Sequence, residues 1–429
     1  MKNNFQIIII VIFIAAAIFG ILVFSGAIPI GQSSQTGAKG TVVLWGTVKA
    51  QTIASLLEDF NNANPTFVVQ YVQKTPENFD HDLLEALASG VGPDMFFLPD
   101  NLAFSYRNRI FPIPYSSLPV SSFKNTFVGA GEVFLTGKGI LAFPIAVDPL
   151  VMYYNRSMLD ANNVVYPPVY WDELPNLVSI LTKKNDSNQI IKSTIAMGHF
   201  GNITHAKDLI ATLFMQAGNQ IVVEKDGFFM SALNEFGQYD LGSILKFYRD
   251  FADPLKATYS WNRSFPNSND TFSADNLALY FGYGSELPIL VNKNPNQNFL
   301  VAPIPQLRNG AFKLTGARVT GIAISAFSKN LNTAFTAASL MGSGDFAAKF
   351  SNALGLAPAR RDLLAIRPAG AYLPTFYASA LYARSWLDPS PKDTDNIFRG
   401  MIDGVLSNSM TAIDAIRDAG AKLSLLLAR

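Results

Sequence analysis

The side chains that could do chemistry in this sequence of 429 residues are mostly carboxylates, amides and aromatics. Cysteine is absent and histidine occurs only as His81, His199 and His205, so a zinc site, a thiolate nucleophile or a histidine-based triad has few residues to draw on. Lys and Arg number 33 against 32 Asp and Glu, which leaves no net field to attract phosphates and argues against nucleic acid as a partner. The composition favours binding of a small polar molecule over catalysis, and we expect no cofactor.

The first hundred residues predict a sheet whose edge would hold some of these side chains. Apolar strands and helical patterns alternate there, at 41–45, 53–60, 67–72, 79–87 and 95–98. This alternation predicts parallel strands, and ligands of such sheets lie beyond the carboxyl ends of the strands. Trp45 ends the first strand and Asn101 follows the third, so both are predicted to face a cleft. The alternative for Trp45 is a cover over the core of its own lobe.

The length of the chain and its N-terminus predict two lobes on a membrane anchor. A chain of 429 residues is too long for one ordinary core, and two lobes imply a cleft. Residues 1–30 hold an apolar stretch long enough to cross a bilayer, and Lys2 before it orients the body outside the cytoplasm. We expect an uncleaved anchor at the extracytoplasmic face of the cell membrane, with a cleaved secretory signal as the alternative. Residues 31–40, rich in Gly, Ser and Gln, are expected to form a flexible tether.

Six segments, in order along the chain, resemble the extracellular solute-binding proteins typified by maltose-binding protein. The strongest is FPIAVDPLVMYYNRSMLDANNVVYPPVYWDEL, residues 143–174, with its strand, acidic residue, Tyr-Tyr-Asn and Trp-Asp-Glu-Leu in the family's order and spacing. The others are TVVLWGT with NNANPTFVV, GPDMFFLPD, NLALYFGYG, TGIAISAFSKN and LGLAPARRD. Together they cover nearly the whole body of the chain.

The resemblance implies a two-lobed α/β fold of the type II periplasmic-binding-protein kind, with a mostly parallel sheet flanked by helices in each lobe. The chain would cross between lobes near Asp148, return near Arg318 and cross again after Arg361. The implied lobes are residues 41–147 with 318–362 and residues 148–317 with 363–429. The family's lipid-modified cysteine is missing, which supports a protein anchor. The implied protein is a monomer that does no chemistry on its ligand and passes it to the permease subunits of an ABC importer.

The resemblance also implies positions for a sugar ligand, here a mono- or oligosaccharide. Asp148 matches the family's acidic residue at the crossover, and a carboxylate can accept bonds from two adjacent hydroxyls. Tyr283, between two glycines, lies where the family presents an aromatic ring to the ligand. Asn202 lies in GHFGNITHAKD, a segment that matches a loop of the cleft in lobe two.

Two further residues are candidates from their own surroundings. Trp261 lies in the polar loop SWNRSFPNSND with no helical face to pack on, so stacking on a sugar competes evenly with partial core burial. Arg318 could donate to hydroxyls or carboxylates in the cleft, or solvate a surface.

Two other functions compete with sugar binding. An anchored glycoside hydrolase would need two nearby carboxylates, for which Asp100 and Asp148 are candidates without a motif that joins them. A ferric-iron-binding protein could use the adjacent Tyr153 and Tyr154, but it would need further anionic or imidazole ligands from a chain with three histidines.

Overall fold

The computed structural model describes residues 38–233 and 240–428. The predicted anchor, residues 1–30, and most of the predicted tether, residues 31–40, lie outside the described residues. Within the described ranges, no helix has the length and apolar character needed to cross a membrane.

The predicted strands and helices of the first hundred residues are confirmed. The first helix, Ala50–Ala63, buries Ile53, Leu56, Leu57 and Phe60, the four residues whose spacing predicted it. The next helix, Phe79–Ala88, also buries its predicted apolar face, and Gly90 follows it with a φ of +72°, a conformation that favours glycine. Local periodicity is sufficient here because each helix buries one continuous stripe against the sheet.

The described strands are, in chain order, β1 (Gly40–Gly46), β2 (Phe67–Gln73), β3 (Met95–Pro99), β4 (Leu135–Thr136), β5 (Gly139–Ile140), β6 (Phe143–Asn155), β7 (Lys183–Lys184), β8 (Ile190–Ile195), β9 (Val222–Lys225), β10 (Phe228–Ser231), β11 (Leu277–Tyr283), β12 (Phe299–Pro303), β13 (Thr315–Ile324), β14 (Ala357–Pro358) and β15 (Ala383–Arg384). The main sheet has the order β2-β1-β3-β13-β6-β11-β8-β7, with β12 and β14 on β6 and β15 on β13.

The described helices are α1 (Ala50–Ala63), α2 (Phe79–Ala88), α3 (Ala103–Tyr106), α4 (Val120–Thr126), α5 (Arg156–Asp160), α6 (Leu174–Leu181), α7 (Ala206–Gln216), α8 (Leu241–Asp250), α9 (Ser268–Ser273), α10 (Leu287–Lys293), α11 (Leu331–Met341), α12 (Gly344–Ala353), α13 (Arg361–Leu364), α14 (Leu373–Ala380), α15 (Pro391–Leu406) and α16 (Ala412–Leu427). Short 3-10 turns at Asp100–Leu102, Gly129–Phe134, Trp171–Glu173 and Gly284–Glu286 join them to the strands.

The strands run in mixed directions, so the prediction of mostly parallel sheets is wrong for the strands at the crossover. β1 pairs in parallel with β2 and β3, and β8 pairs in parallel with β11. β13, however, is antiparallel to both β3 and β6, and β11 is antiparallel to β6. The reason is the route of the chain, because β6 leaves the first lobe along the sheet and β13 returns alongside it in the opposite direction.

β6 is one continuous strand of 13 buried residues, although Asp148 and Pro149 interrupt its apolar sequence. One edge of β6 pairs with β13 as far as Pro149 and with β12 from Val151 onward. Pro149, which has no N–H to donate, therefore lies where that edge changes partner, a tolerated place for proline in a strand. The strand joins both halves of the molecule without a break.

Two hydrophobic cores lie on either side of this strand. The first extends through residues 42–147 and 317–364 and the second mainly through residues 150–307, 314 and 376–427. Phe104 is an exception, since it follows β3 in the chain but packs in the second core. The molecule is a two-lobed α/β protein, and the lobe boundaries implied by the resemblance remain a prediction.

Candidate ligand-binding cleft

A cavity of about 640 Å³ lies between the lobes, beyond the carboxyl end of β3. Asp100 and Asn101 line it from the first lobe, and Asp148 and Arg318 line it from the crossover strands β6 and β13. The second lobe adds Tyr283 at the end of β11 and several polar residues at the start of α7. Four of the seven predicted binding residues, Asn101, Asp148, Tyr283 and Arg318, thus meet at one cavity, and their roles in binding remain a prediction.

Arg318 lies on the aromatic ring of Tyr283. It is directly opposite Asp148 in the register of β13 and β6, so both side chains start from the same face of the sheet. The guanidinium turns toward the second lobe, where its carbon is 3.9 Å from the centre of the Tyr283 ring and one nitrogen is 3.7 Å from an oxygen of Asp208. The cation–π contact and the ion pair together fix the position of this positive charge.

Asp148 is a buried carboxylate at the crossover, only 8% exposed. The backbone N–H of Ser285 donates to its Oδ1 at 3.0 Å. A Cβ at Gly284 would approach the same oxygen to 3.2 Å, so the glycine after β11 permits this close approach. Burial raises the pKa of Asp148, and the hydrogen bonds from Ser285 and the charge of Arg318 oppose that shift.

Asp100 is a second buried carboxylate, in the 3-10 turn that follows β3. The hydroxyl of Ser385 donates to its Oδ2, and the backbone of Val319 also donates to the carboxylate. Burial raises its pKa to about 6 despite these bonds and the nearby charge of Arg318. Asn101, the next residue, is exposed at the rim of the cavity.

His205 is a residue of the cleft that the sequence reasoning missed. It precedes α7 with a left-handed φ of +61°, and its Nε2 lies 2.6 Å from Oε1 of Glu286 while its Nδ1 lies 3.6 Å from Asp208. Burial would lower the pKa of His205, but bonds to these two carboxylates outweigh it and raise the pKa to about 9. The imidazole is therefore charged at neutral pH, and its edge packs on the Tyr283 ring at a centroid distance of 4.8 Å.

Lys207 and Asp388 were also missed. They form an ion pair of 2.7 Å on the cavity wall, and the lysine also donates to Thr394. Trp386 lines the cavity half-buried and stacks on Phe398, with the lysine ammonium 5.8 Å from its ring. One sequence feature could have indicated His205 and Lys207. The tetrapeptide His-Ala-Lys-Asp lies at the start of a helix, within a segment that the resemblance assigns to the cleft.

Asn202 and Trp261 are brought together, but away from the cavity lining. The indole N–H of Trp261 donates to Oδ1 of Asn202 at 3.0 Å, and Nδ2 of Asn202 donates to the carbonyls of Asn262 and Phe265. Trp261 is fully buried and stacks on Phe265 at 4.5 Å. Of the two interpretations of Trp261, burial in the core fits this position, because the indole packs in the second core and the amide of Asn202 braces the loop around it. Roles of Asn202 and Trp261 in ligand binding remain a prediction.

Trp45 does not reach the cavity either. It is half-buried against the first core, and the ammonium of Lys74 lies 3.8 Å from the centre of its ring. Its interpretation as a cover of its own lobe fits this position. The rings of Trp45, Trp261 and Tyr283 are each in contact with another side chain of the protein, and so is that of Trp386, which is the half-buried tryptophan of the described cavity wall.

A contact between the lobes crosses the cleft at the β9–β10 hairpin. Phe229 of the hairpin packs edge-on against Phe104 of the first lobe, with ring centroids 5.5 Å apart. The guanidinium of Arg107 lies 3.8 Å from the centre of the Phe104 ring, and Glu224 accepts a hydrogen bond from the backbone of Gly137 at 3.3 Å. The described conformation therefore has the lobes in contact across the cleft.

The two competing functions find no support in this geometry. The Tyr153 hydroxyl donates to the carbonyl of Tyr283 inside the core, and its ring is fully buried, so the tyrosine pair does not present two hydroxyls to a metal. A hydrolase needs an acid and an ionised base with different pKa values, and burial raises the pKa of both Asp100 and Asp148, so their surroundings do not assign these two roles.

Sequence comparison decides the family. Residues 55–372 match the sequence profile of a family described as bacterial extracellular solute-binding protein. The chain belongs to this family. Because the family is described as extracellular, membership places this solute-binding protein outside the cytoplasm. A search among curated proteins returns no significant match.

Solved structures with the same fold include several sugar-binding proteins. A cyclo/maltodextrin-binding protein complexed with maltotetraose superposes with a TM-score of 0.73 at 18% identity, over 91% of this chain and 98% of that one. A cyclic alpha-maltosyl-1,6-maltose binding protein from Arthrobacter globiformis gives 0.73 at 14%, over 90% and 98%. The sugar-binding protein MalE from Xanthomonas citri gives 0.70 at 17%, over 90% and 97%. At these identities the likeness establishes the fold.

Proposed function

We propose that this solute-binding protein captures a mono- or oligosaccharide in its interlobe cleft and delivers it to the permease subunits of an ABC importer. The observation that carries the proposal is the cavity of about 640 Å³ at which polar groups of both lobes and of the crossover strands converge. Solved relatives with the same fold bind maltotetraose and other oligosaccharides, which supports a carbohydrate as the ligand class.

The cavity wall offers the groups that a sugar requires. Asp100 and Asp148 can accept bonds from adjacent hydroxyls, and Arg318 and Asn101 can donate to hydroxyl and ring oxygens. Trp386 is the aromatic that can cover an apolar ring face, since the Tyr283 ring is in contact with Arg318. The protein would act as a monomer, with residues 1–30 as its membrane anchor.

Calorimetry of the full chain, purified in a detergent without a sugar headgroup, tests this function. Titration with maltose, maltotetraose, mannotriose and their monosaccharides should show one-site binding at micromolar or lower Kd, and chromatography of the same mixtures should show intact sugar. Asp148→Asn should weaken binding about tenfold, because the neutral amide loses a charge-assisted acceptor. Asp172→Asn is the matched control, since this carboxylate pairs with Arg308 on the surface of the second lobe.

Release of shorter sugars would show that the protein is a hydrolase. Delivery to an importer is tested separately, by deleting the gene in its host and following uptake of the radiolabelled sugar that calorimetry identifies. Unchanged uptake would refute the transport role while leaving binding intact.

A further inference from the structure

Two ion pairs of the cavity wall neutralise their own charges. Lys207 pairs with Asp388 at 2.7 Å, and Arg399 pairs with Asp395 at 3.2 Å while its guanidinium lies over Phe200. These four charged residues line the same cavity and together carry no net charge. Any charge preference of the ligand must come from the other charged groups of the wall.

Around His205 and Arg318 the cleft holds more carboxylates than cations. His205 is held between Glu286 and Asp208, and Arg318 shares Asp208 with it. In the part of the chain that the structure describes, Asp100 and Asp148 have no cationic nitrogen within 4.0 Å, although both are less than 10% exposed.

Arg384, the remaining cation of the cavity wall, does not compensate the excess of carboxylates. Arg384 is exposed and donates to the carbonyl of Ala383, and it forms no ion pair with either carboxylate. Arg318 is already positioned by the Tyr283 ring and Asp208. The two buried carboxylates therefore meet the ligand with part of their charge uncompensated.

A neutral sugar would replace the water around these carboxylates by hydroxyl donors but would leave their charge uncompensated, which is less favourable in a buried site than an opposite charge. A protonated amine supplies one positive charge and three N–H donors to the free lone pairs of the two carboxylates. An acidic or phosphorylated sugar would bring further negative charge beside Asp100, Asp148, Asp208 and Glu286.

We propose that the carbohydrate bound by this cleft is an amino sugar, whose protonated amino group is attracted by the buried carboxylates Asp100 and Asp148. This inference rests on the proposed function and names its ligand class. Asn101, Thr320 and Ser385 line the same cavity and remain available to the hydroxyl groups of the sugar. With a pKa of about 6, Asp100 is ionised at neutral pH and ready to accept the ammonium.

Matched sugars that differ only at the amino position test the inference. The full chain is titrated with glucosamine, galactosamine and the glucosamine dimer and tetramer, each beside its N-acetylated form and its hydroxyl counterpart. At least one amine should bind tenfold or more tightly than both neutral counterparts.

The outcomes separate this inference from the proposed function. Equal or tighter binding of the neutral sugars in every set would overturn the amino-sugar inference and leave carbohydrate binding intact. No binding by any sugar of this panel or of the panel above would refute both. Binding of spermidine but of no sugar would also overturn both, because the site would then recognise an amine without a carbohydrate.

Charge-removing variants add a second readout. Asp100→Asn and Asp148→Asn keep the size of each side chain, so each should lower the affinity for the amine about tenfold more than it lowers the affinity for the neutral counterpart, because only the ammonium loses an opposite charge. Asp172→Asn should leave the ratio of the two affinities unchanged. Circular dichroism establishes that each variant is folded, and an equal loss for amine and neutral sugar would contradict a contact between ammonium and carboxylate.

Discussion

Replacing Asp100 by Asn should stabilise the ligand-free protein at pH 7.5. Burial raises the pKa of Asp100 from 3.8 to about 6, a difference of about 2 units, and each unit corresponds to about 1.4 kcal/mol. Because the folded pKa is the higher one, the penalty is absent below pH 3.8, grows between pH 3.8 and 6, and is complete above pH 6. The Asn amide keeps one acceptor oxygen for the backbone of Val319, and its NH2 can donate to the rotatable hydroxyl of Ser385, without carrying the charge.

The size of the effect should depend on pH. At pH 7.5 the ionised carboxylate lowers the free energy of unfolding by up to about 3 kcal/mol, and at pH 4.5 by about 1 kcal/mol, since the folded protein is then mostly protonated at this site. Urea unfolding of Asp100→Asn and of the unaltered protein at both pH values should show this decrease. The matched control is Asp172→Asn, whose exposed carboxylate has a lowered pKa beside Arg308 and should give no stabilisation.

Equal stabilisation at the two pH values would mean that the substitution acts through packing and not through charge. No stabilisation at pH 7.5 would refute the reasoning that burial of the carboxylate is unfavourable. A stabilised variant that loses preference for amines would show that the cleft keeps this charge for its ligand at the expense of its own stability.

Three further changes test other parts of the structure. The pKa of His205 is raised to about 9, so its contribution to the free energy of unfolding is complete below pH 6.5 and is lost as the pH rises to 9. In urea unfolding, the free energy of unfolding of His205→Gln should therefore fall less across that interval than that of the unaltered protein. Trp261→Ala should lower the free energy of unfolding by about 3–5 kcal/mol by emptying a buried site, while sugar affinity measured at 10 °C stays within about threefold. Phe229→Ala removes the contact with Phe104, so small-angle scattering should give a larger radius of gyration, whereas Phe228→Ala, 73% exposed, should not.

Local sequence patterns predicted the first strands and helices of the first lobe, but they failed where a strand depends on pairing with distant parts of the chain. The apolar start of the segment TGIAISAFSKN, residues 320–324, belongs to β13, which begins five residues earlier, at Thr315. Its first half holds Gly316 and Arg318 and has no strand alternation of its own. This half is a strand because it pairs with β6 and β15, which lie far away in the chain. A periodicity argument has no access to such partners.

The same limit applied to the cleft. Asp148 and Tyr283 could be assigned because the resemblance marks the crossover and the end of β11. His205 was missed because its partner Glu286 lies 81 residues further along the chain. Trp261 was open to either interpretation because the acceptor for its indole N–H, Asn202, lies 59 residues before it.

The position of β13 also determines the order in which the chain can fold during synthesis. β3 pairs with β1 on one side and with β13 on the other, and from Pro99 to its partner Thr320 the ribosome must add 221 residues (320 minus 99). At about 5–20 residues per second, that edge stays unpaired for roughly 10 to 40 seconds. An apolar strand with a free edge is a place where nascent chains associate wrongly. The first lobe begins to be synthesised before the second. We nevertheless expect it to depend on chaperones until the second lobe has emerged.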